Sequence, residues 1–315
     1  MEVNSWNKGD VRCAHRRKIF CLDWNCSGSC LATGSQDQSI KLWKLGSKDT
    51  SLFLETDLRG HTDSVMYLRW HPKDEQRLVS TSGQEQNIRF WDARASKNTA
   101  TLSTPGNNLY IAWNHDGNYV AVGNRQDVIC TVDVRKMSII NKATYKYQVN
   151  ELAFLRESKY LLQGTANNAS LEILNFPDMQ PETSLIGHTA SVLSVAVDPQ
   201  EKYIATGGAD AITTLWDAED FRCIHAYYHM ENPIRAIAFS HDSKYMSMTG
   251  EDPCVYVEDV ELQQSLGVIE LQKSAAEESC WNPKKHILTY PVEYQDHFNI
   301  ELRVPTPQLI VCEEG

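Results

Sequence analysis

The chain has no long apolar run. Nothing in its 315 residues approaches the ~20 consecutive apolar residues that cross a bilayer, and Met1-Glu2-Val3-Asn4 lacks the apolar stretch of a secretory leader. These absences predict a protein made and kept in the cytosol or nucleus, with no membrane partner. No C-x-x-C pair occurs among its nine cysteines, Cys13, Cys21, Cys26, Cys30, Cys130, Cys223, Cys254, Cys280 and Cys312. Their odd number and scattered spacing predict reduced, partly buried thiols, and even the closest group, Cys21, Cys26 and Cys30, lacks a zinc spacing. Glycosylation-type triplets at Asn25 and Asn168 carry no meaning in a chain that is never secreted.

Positive charge is also short. The net charge is −11, which argues against nucleic acid as the main partner, because phosphate binding needs a clustered basic surface. The clearest basic run, His15-Arg16-Arg17-Lys18, reads as a solvated loop more readily than as a nuclear import tag. Helical periodicity of 3.6 is missing throughout. So are G-x-S-x-G, a Walker-type loop, H-E-x-x-H and the dinucleotide glycine fingerprint. The acidic pairs Glu277-Glu278 and Glu313-Glu314 read as solvated surface. The chain is therefore expected to be no enzyme, with no cofactor, no metal and no small-molecule substrate.

What is present is a repeat. A large apolar residue ends a short alternating stretch at Trp24, Trp70, Trp113, Phe154, Val197, Phe239 and Trp281, in steps of 46, 43, 41, 43, 42 and 42 residues. Ile19-Phe20-Cys21-Leu22-Asp23-Trp24, Val65-Met66-Tyr67-Leu68-Arg69-Trp70 and Ile234-Arg235-Ala236-Ile237-Ala238-Phe239 show the two-residue alternation of a strand. After each comes a turn, a second strand such as Tyr203-Ile204-Ala205-Thr206-Gly207, and a tight turn holding Asp37, Asp127, Asp210 or Asp252. A third strand follows, such as Ile40-Lys41-Leu42-Trp43, then a weaker fourth. Seven units of this length predict an all-β, seven-bladed WD40 β-propeller with four antiparallel strands per blade. The expected boundaries are 1–305 for the propeller and 306–315 for a C-terminal tail. The seventh unit is irregular, with an insertion expected near Pro291-Val292-Glu293-Tyr294-Gln295-Asp296. Its ring-closing strand is expected within Val3–Val11, with Gln308-Leu309-Ile310-Val311-Cys312 as the competing choice.

Three units carry a fuller signature: His15, Thr33, Asp37 and Trp43; His61, Thr81, Glu85 and Trp91; His188, Thr206, Asp210 and Trp216. A His–hydroxyl–acid group invites a catalytic reading. Three copies at three blade edges serve no single substrate, whereas a hydrogen-bond chain from acid to His to hydroxyl to indole would clamp outer strands to inner ones.

A partner is expected on the face where the loop entering each first strand meets the turn before each third strand. Register places there Lys18, Phe20, Gln36, Ser64, Met66, Gln84, Asn107, Leu109, Gln126, Gln148, Asn150, Ala166, Ser191, Leu193, Ala209, Pro233, Arg235 and Glu251. The strongest candidates are Lys18, Phe20, Met66, Gln84, Leu109, Gln126, Asn150, Leu193, Arg235 and Glu251. This mostly neutral set suits a peptide or helix with apolar anchors better than a polyphosphate. A separate feature is Trp91-Asp92-Ala93-Arg94, whose Asp-x-Arg part returns as Asp133-Val134-Arg135. Such motifs resemble those of propellers that act as substrate receptors of cullin-type ubiquitin ligases.

One family resemblance is more specific. The second unit, from Gly60-His61-Thr62-Asp63-Ser64-Val65 through Trp70-His71-Pro72 to Ile88-Arg89-Phe90-Trp91-Asp92-Ala93-Arg94, resembles the THO complex subunit 3 family. So do Val120-Ala121-Val122-Gly123-Asn124, Val149-Asn150-Glu151, Ala205-Thr206-Gly207-Gly208-Ala209-Asp210-Ala211 and Phe239-Ser240-His241-Asp242. The resemblance implies a non-enzymatic scaffold subunit in the nucleus, within the THO/TREX assembly that couples transcription to mRNA processing and export. It implies large helical THO subunits as partners and contact with mRNA only indirectly, through the complex.

Overall fold

The computed structural model describes residues 3, 6–166, 168–271, 274–294 and 297–305. They form seven four-stranded antiparallel sheets, and each inner strand packs on the inner strands of its two neighbours, so the ring is closed. From inner to outer, blade 1 comprises Ile19–Trp24, Cys30–Ser35, Ser39–Leu45 and Leu52–Arg59, and blade 2 comprises Val65–Trp70, Arg77–Ser82, Asn87–Asp92 and Lys97–Ser103. Blade 3 is Asn108–Trp113, Tyr119–Asn124, Val128–Asp133 and Ser138–Thr144; blade 4 is Val149–Leu155, Tyr160–Thr165, Ser170–Asn175 and Gln180–Ile186. Blade 5 is Val192–Val197, Tyr203–Gly208, Thr213–Asp217 and Cys223–Tyr227; blade 6 is Ile234–Phe239, Tyr245–Gly250, Cys254–Asp259 and Gln264–Glu270.

Blade 7 differs. Its inner strand is only Cys280–Trp281, followed by Leu288–Tyr294 and His297–Val304, and its outer strand is Asn7–His15 from the start of the chain. That closing strand runs antiparallel to His297–Val304, with Asn7 opposite Val304 and Val11 opposite Ile300. It begins and ends four residues later than the span considered from sequence. The expected insertion near Pro291 is instead a longer hairpin. Leu288–Tyr294 pairs with His297–Val304 without a break, from Leu288 opposite Arg303 to Tyr294 opposite His297. Pro291 lacks an N–H, yet it keeps its place in the ladder opposite Ile300. Gln295 and Asp296, the tail 306–315 and its Gln308–Cys312 segment lie outside the described residues.

The burial pattern explains the ring. Second strands such as Cys30–Ser35 and Tyr160–Thr165 are buried on both faces, so no blade shelters itself. The apolar clusters therefore straddle seams. One joins Ile40, Leu42 and Leu58 of blade 1 to Leu68, Trp70 and Trp91 of blade 2, and another joins Leu22, Trp24 and Trp43 of blade 1 to Ile300 and Leu302 of blade 7. Each fully buried Leu or Ile contributes roughly 1.5–3 kcal/mol relative to exposure. Outer strands meet water, as the alternating exposure of Lys97–Ser103 shows.

The anchor tryptophans carry directional bonds across the same seams. Trp24 donates from Nε1 to Thr289 of blade 7 at 3.2 Å, Trp70 to the Asp23 carbonyl of blade 1 at 3.0 Å, Trp113 to the Arg69 carbonyl of blade 2 at 3.2 Å, and Trp281 to Ser247 of blade 6 at 3.1 Å. The large apolar residue that defined the repeat is thus the residue that locks each such blade to the one before it.

Candidate docking face and central channel

Two of the three signature groups form as expected. His15 contacts Asp37 at 3.0 Å through Nδ1 and Thr33 at 2.8 Å through Nε2, and the Trp43 indole donates to the Thr33 hydroxyl at 2.9 Å. His188 repeats this with Asp210 at 3.1 Å and Thr206 at 2.8 Å, closed by Trp216 at 3.0 Å. In blade 2 the hydroxyl is not Thr81. His61 reaches Glu85 at 2.7 Å and Ser80 at 2.7 Å, and Trp91 donates to Ser80 at 2.8 Å. The turn before the third strand is one residue longer in that blade. A count of four back from the acid therefore lands on the opposite sheet face, because side chains alternate with period two. Thr81 is fully buried and its hydroxyl has no hydrogen-bond partner among the described residues.

Burial alone would raise the acids of these groups, but it is outweighed. Hydrogen bonds from His15 and Ser39 hold Asp37 well below the usual carboxylate range, and those from His61, the Thr62 amide and Arg89 do the same for Glu85. Asp210 is lowered by the Thr189 amide and His188. Burial lowers His15, so its imidazole stays neutral and can accept at Nε2. Every member has its partner inside the clamp, which is a structural arrangement.

The residues expected to dock lie at the starts of the inner strands and in the turns before the third strands, and a backbone device aims six of them. In blades 1 to 6 the pairing of the inner strand with the second shifts register by one residue near its start. The residues passed over are Phe20, Met66, Leu109, Asn150, Leu193 and Arg235. A bulge turns the extra side chain out of the ladder, so these six stand around the mouth of the ring. Phe20, Met66, Leu109 and Leu193 are half-buried and Arg235 is exposed. Asn150 is buried, and its amide donates to the Val192 carbonyl at 2.8 Å, tying blade 4 to blade 5.

The outer ring of the face is fixed by backbone bonds. The amides of Gln36, Ala166, Ala209 and Glu251 donate to the carbonyls of Lys18, Gln148, Ser191 and Pro233 at 2.8–3.0 Å. In blade 3 the residue making this bond, to Asn107 at 2.9 Å, is Arg125 and not Gln126. Asp127 was taken as the equivalent of Asp37, but its φ of 57° matches Gln38 at 69° and Ala211 at 63°. Gln126 therefore holds the acid's place, its Oε1 accepting the Asn107 amide at 3.3 Å, and Arg125 is the rim residue that counting missed. Gln84 is exposed in its longer turn. Two of the rim cations are paired: Lys18 with Glu277 at 2.8 Å, and Arg235 with Glu251.

Below the mouth, a cavity of about 360 Å³ follows the axis. Its wall is mostly apolar or small, with one charged arc that the sequence reading did not identify. Asp23 and Arg69 stand one residue before their anchors, and Tyr67, Glu151 and Glu278 stand three before theirs. Arg69 donates to the Tyr67 hydroxyl at 2.7 Å and Tyr67 donates to Glu151 at 2.5 Å. Asp23 accepts the Trp70 amide at 2.7 Å. Burial pushes Asp23 up to about 6, Glu151 to about 7 and Glu278 to about 8, although Arg69 opposes each rise. Burial works against the guanidinium as well, but Tyr67 and the three acids outweigh it and hold Arg69 charged. Glu278 is therefore part of the channel wall and not solvated surface, whereas Glu277 is the rim partner of Lys18. Two-residue alternation from the anchor was the signal that marked these positions.

On the opposite face, Arg135 folds back on its own blade. Its guanidinium lies 3.2 Å from Asp133 and packs over the Tyr119 ring at 5.5 Å. Arg94 is exposed in its turn.

Seven four-stranded blades, three of them clamped by histidine–hydroxyl–indole chains and the ring closed by the first strand, define a WD40-repeat propeller. The WD domain, G-beta repeat family matches residues 9–44, 53–92 and 179–217. The chain is 35% identical over 277 residues to THO complex subunit 3 of Arabidopsis thaliana, spanning 88% of this chain and 87% of that one. It is 24% identical to WD repeat-containing protein AAC3 of Dictyostelium discoideum, over 90% of this chain and 63% of that one. It is 22% identical to the Poly(A)+ RNA export protein of Schizosaccharomyces pombe, over 72% and 66%. The chain belongs to the THO complex subunit 3 family.

Proposed function

We propose that this protein is a non-enzymatic scaffold subunit of a THO/TREX-type nuclear assembly, and that it docks large helical subunits on the bulge-lined face. The observation that carries this reading is the 35% identity to a THO complex subunit, extending over nearly the full length of both chains. The face supports it. Four of the six bulge positions are occupied by Phe20, Met66, Leu109 and Leu193, the kind of apolar anchors that a helix buries in a groove. Lys18 and Arg235 spend their charge on Glu277 and Glu251, and Arg125 alone among the named rim residues adds a further cation in a chain of net charge −11, too little for a phosphate backbone, so in this reading mRNA is met through the complex. The polar groups of the channel are engaged with one another and with the wall. They provide no nucleophile paired with a free base.

The test is recovery of partners from nuclear extract by a tagged copy carrying Phe20→Asp, Met66→Asp and Leu193→Asp together. These changes should abolish co-purification of the large helical subunits while the circular dichroism spectrum stays native. Leu262→Asp, on the opposite face, should leave recovery intact. If the rim variant keeps its partners, docking is elsewhere. If the unmutated copy recovers none, the assembly reading fails.

A further inference from the structure

We propose that His241, Asp242 and His286 form a binding site for a divalent transition ion of the zinc class, bridging blades 6 and 7 on the face opposite the docking rim. The ligating atoms of the three side chains all lie within 4.8 Å of one another. A tetrahedral site with bonds of ~2.0–2.1 Å spaces its ligands roughly 3.4 Å apart, so small side-chain rotations complete the geometry.

The site is built from two turns. His241 and Asp242 belong to the turn between the inner and second strands of blade 6, and His286 precedes the second strand of blade 7. Asp242 divides its oxygens between two tasks. Oδ1 accepts from the Ser240 hydroxyl at 2.7 Å and the Lys244 amide at 3.3 Å, which fixes the turn. Oδ2 faces His286 Nε2 at 2.9 Å. The two imidazoles lie 4.6 Å apart, centre to centre. Two histidines with tilted rings beside one carboxylate bring two imidazole nitrogens and a carboxylate oxygen together as a donor set. Nδ1 of His241 is sealed from solvent and has no hydrogen-bond partner among the described residues, which marks a polar atom that the fold itself leaves unused.

Two imidazole nitrogens and one carboxylate oxygen suit zinc, copper or nickel and not the oxygen-seeking magnesium or calcium. Three protein ligands leave a fourth position for water or for a donor from a docked chain. The cations nearby are Lys284 and Lys244, and Lys244 lies over the Tyr245 ring at 5.2 Å. The metal would pin blade 6 to the blade that closes the ring.

The experiment uses the full-length, tag-free chain, stripped with chelator, and titrated calorimetrically with Zn²⁺. One ion per chain is expected, together with a rise in melting temperature. His241→Gln and His286→Gln should each weaken binding more than ~100-fold, since even outer-shell losses cost 10–100-fold, and should abolish the thermal shift. Asp242→Asn retains Oδ1 for the turn and should weaken binding while leaving the fold native, which covers the case of a histidine variant that misfolds. Co²⁺ should give a nitrogen–oxygen spectrum without thiolate charge transfer, and Cys223→Ser should bind normally. Absence of binding by the unmutated chain overturns the proposal. So do unchanged affinity in a folded ligand variant, a sulfur-ligated cobalt spectrum, and loss of binding in Cys223→Ser.

Discussion

Blade 2 offers the sharpest test of how these blades hold together, because two neighbouring hydroxyls exchange their expected roles. Ser80 receives the Trp91 indole and contacts His61 Nε2, whereas Thr81 has no partner among the described residues. Ser80→Ala removes one oxygen and leaves two buried groups unpaired, Trp91 Nε1–H and His61 Nε2. Each costs about 1–3 kcal/mol, so a loss of about 2–6 kcal/mol is expected. For a chain of this length, with about 2.1 cal/mol/K of unfolding entropy per residue, that corresponds to a fall of about 3–9 °C in melting temperature. Thr81→Val keeps the shape of the side chain and deletes a hydroxyl that makes no bond. It should be neutral or stabilising by up to about 1 kcal/mol. Calorimetry of both variants beside the unmutated chain decides the matter. If Thr81→Val destabilises as much as Ser80→Ala, then the register drawn for blade 2 is wrong and the sequence-based assignment of Thr81 is right.

Three other outcomes follow from the charged groups. Glu258 is fully buried at the register position that Trp43, Trp91 and Trp216 occupy in blades 1, 2 and 5, and burial pushes it up to about 7; Glu258→Leu should therefore stabilise the chain by up to about 3 kcal/mol at pH 8, less what is lost from the 3.5 Å contact with His229, read from urea denaturation. Because Asp23, Glu151, Glu258 and Glu278 are raised on folding, their penalty is absent below the unfolded value and complete above the folded one, so stability should rise as pH falls from 8 to about 5. Asp37, Glu85 and Asp210 are lowered, so their contribution is complete above the ordinary carboxylate range and disappears as pH falls below about 4; a melting temperature that climbs steadily from pH 5 to pH 8 would contradict the first sign, and one that holds as pH falls from about 4 to 2 would contradict the second. Arg69→Met should cost about 3 kcal/mol or more at pH 8, since it leaves three buried carboxylates without their counter-charge, and clearly less at pH 5, where they protonate; an equal loss at both values would show that the guanidinium acts through packing alone.

The fold was legible because the anchors recur at nearly constant steps and because an indole at that position bonds the preceding blade. The clamps were legible only in blades 1, 2 and 5, since the other blades meet the same need with different chemistry. In blade 4, Thr165, Asn168, Ser170, Glu172 and Ser184 form one connected hydrogen-bond group. In blade 6, Asp252 accepts from the Glu231 and Asn232 amides at 2.8 and 3.3 Å. In blade 7, Tyr290 joins Glu301 and Arg303 at 3.0 and 3.1 Å. No fixed spacing marks these groups. Thr81 was misplaced because a turn one residue longer reverses which side of the sheet a side chain faces, and turn length cannot be read from strand periodicity; Gln126 was misplaced because the Asp of blade 3 stands one position later in a turn of unchanged length. The channel acids were passed over because a carboxylate in an alternating strand reads as solvent-facing. In a ring, the side of the inner strand that looks polar faces the axis and not bulk water.

The rim and the channel are consequences of one backbone event. Without the bulge, strict alternation would run unbroken from the anchor to the mouth, and one set of alternate residues would line the axis along the whole strand. The extra residue resets that alternation. In blade 2 it turns Met66 toward the docking face while Tyr67 and Arg69 keep to the axis. In blade 4 it separates Asn150, which binds the neighbouring blade, from Glu151, which joins the channel arc. Six repetitions give a mouth whose side chains are chosen independently of the wall beneath, so apolar anchors sit directly above a buried charge cluster. Blade 7 has only Cys280–Trp281 as its inner strand and cannot supply a seventh bulge residue. Its place on the rim falls to the segment holding Glu277, which reaches Lys18 across the seam with blade 1. The rim is therefore a ring of six bulge residues with one break at blade 7, which the Lys18–Glu277 pair fills.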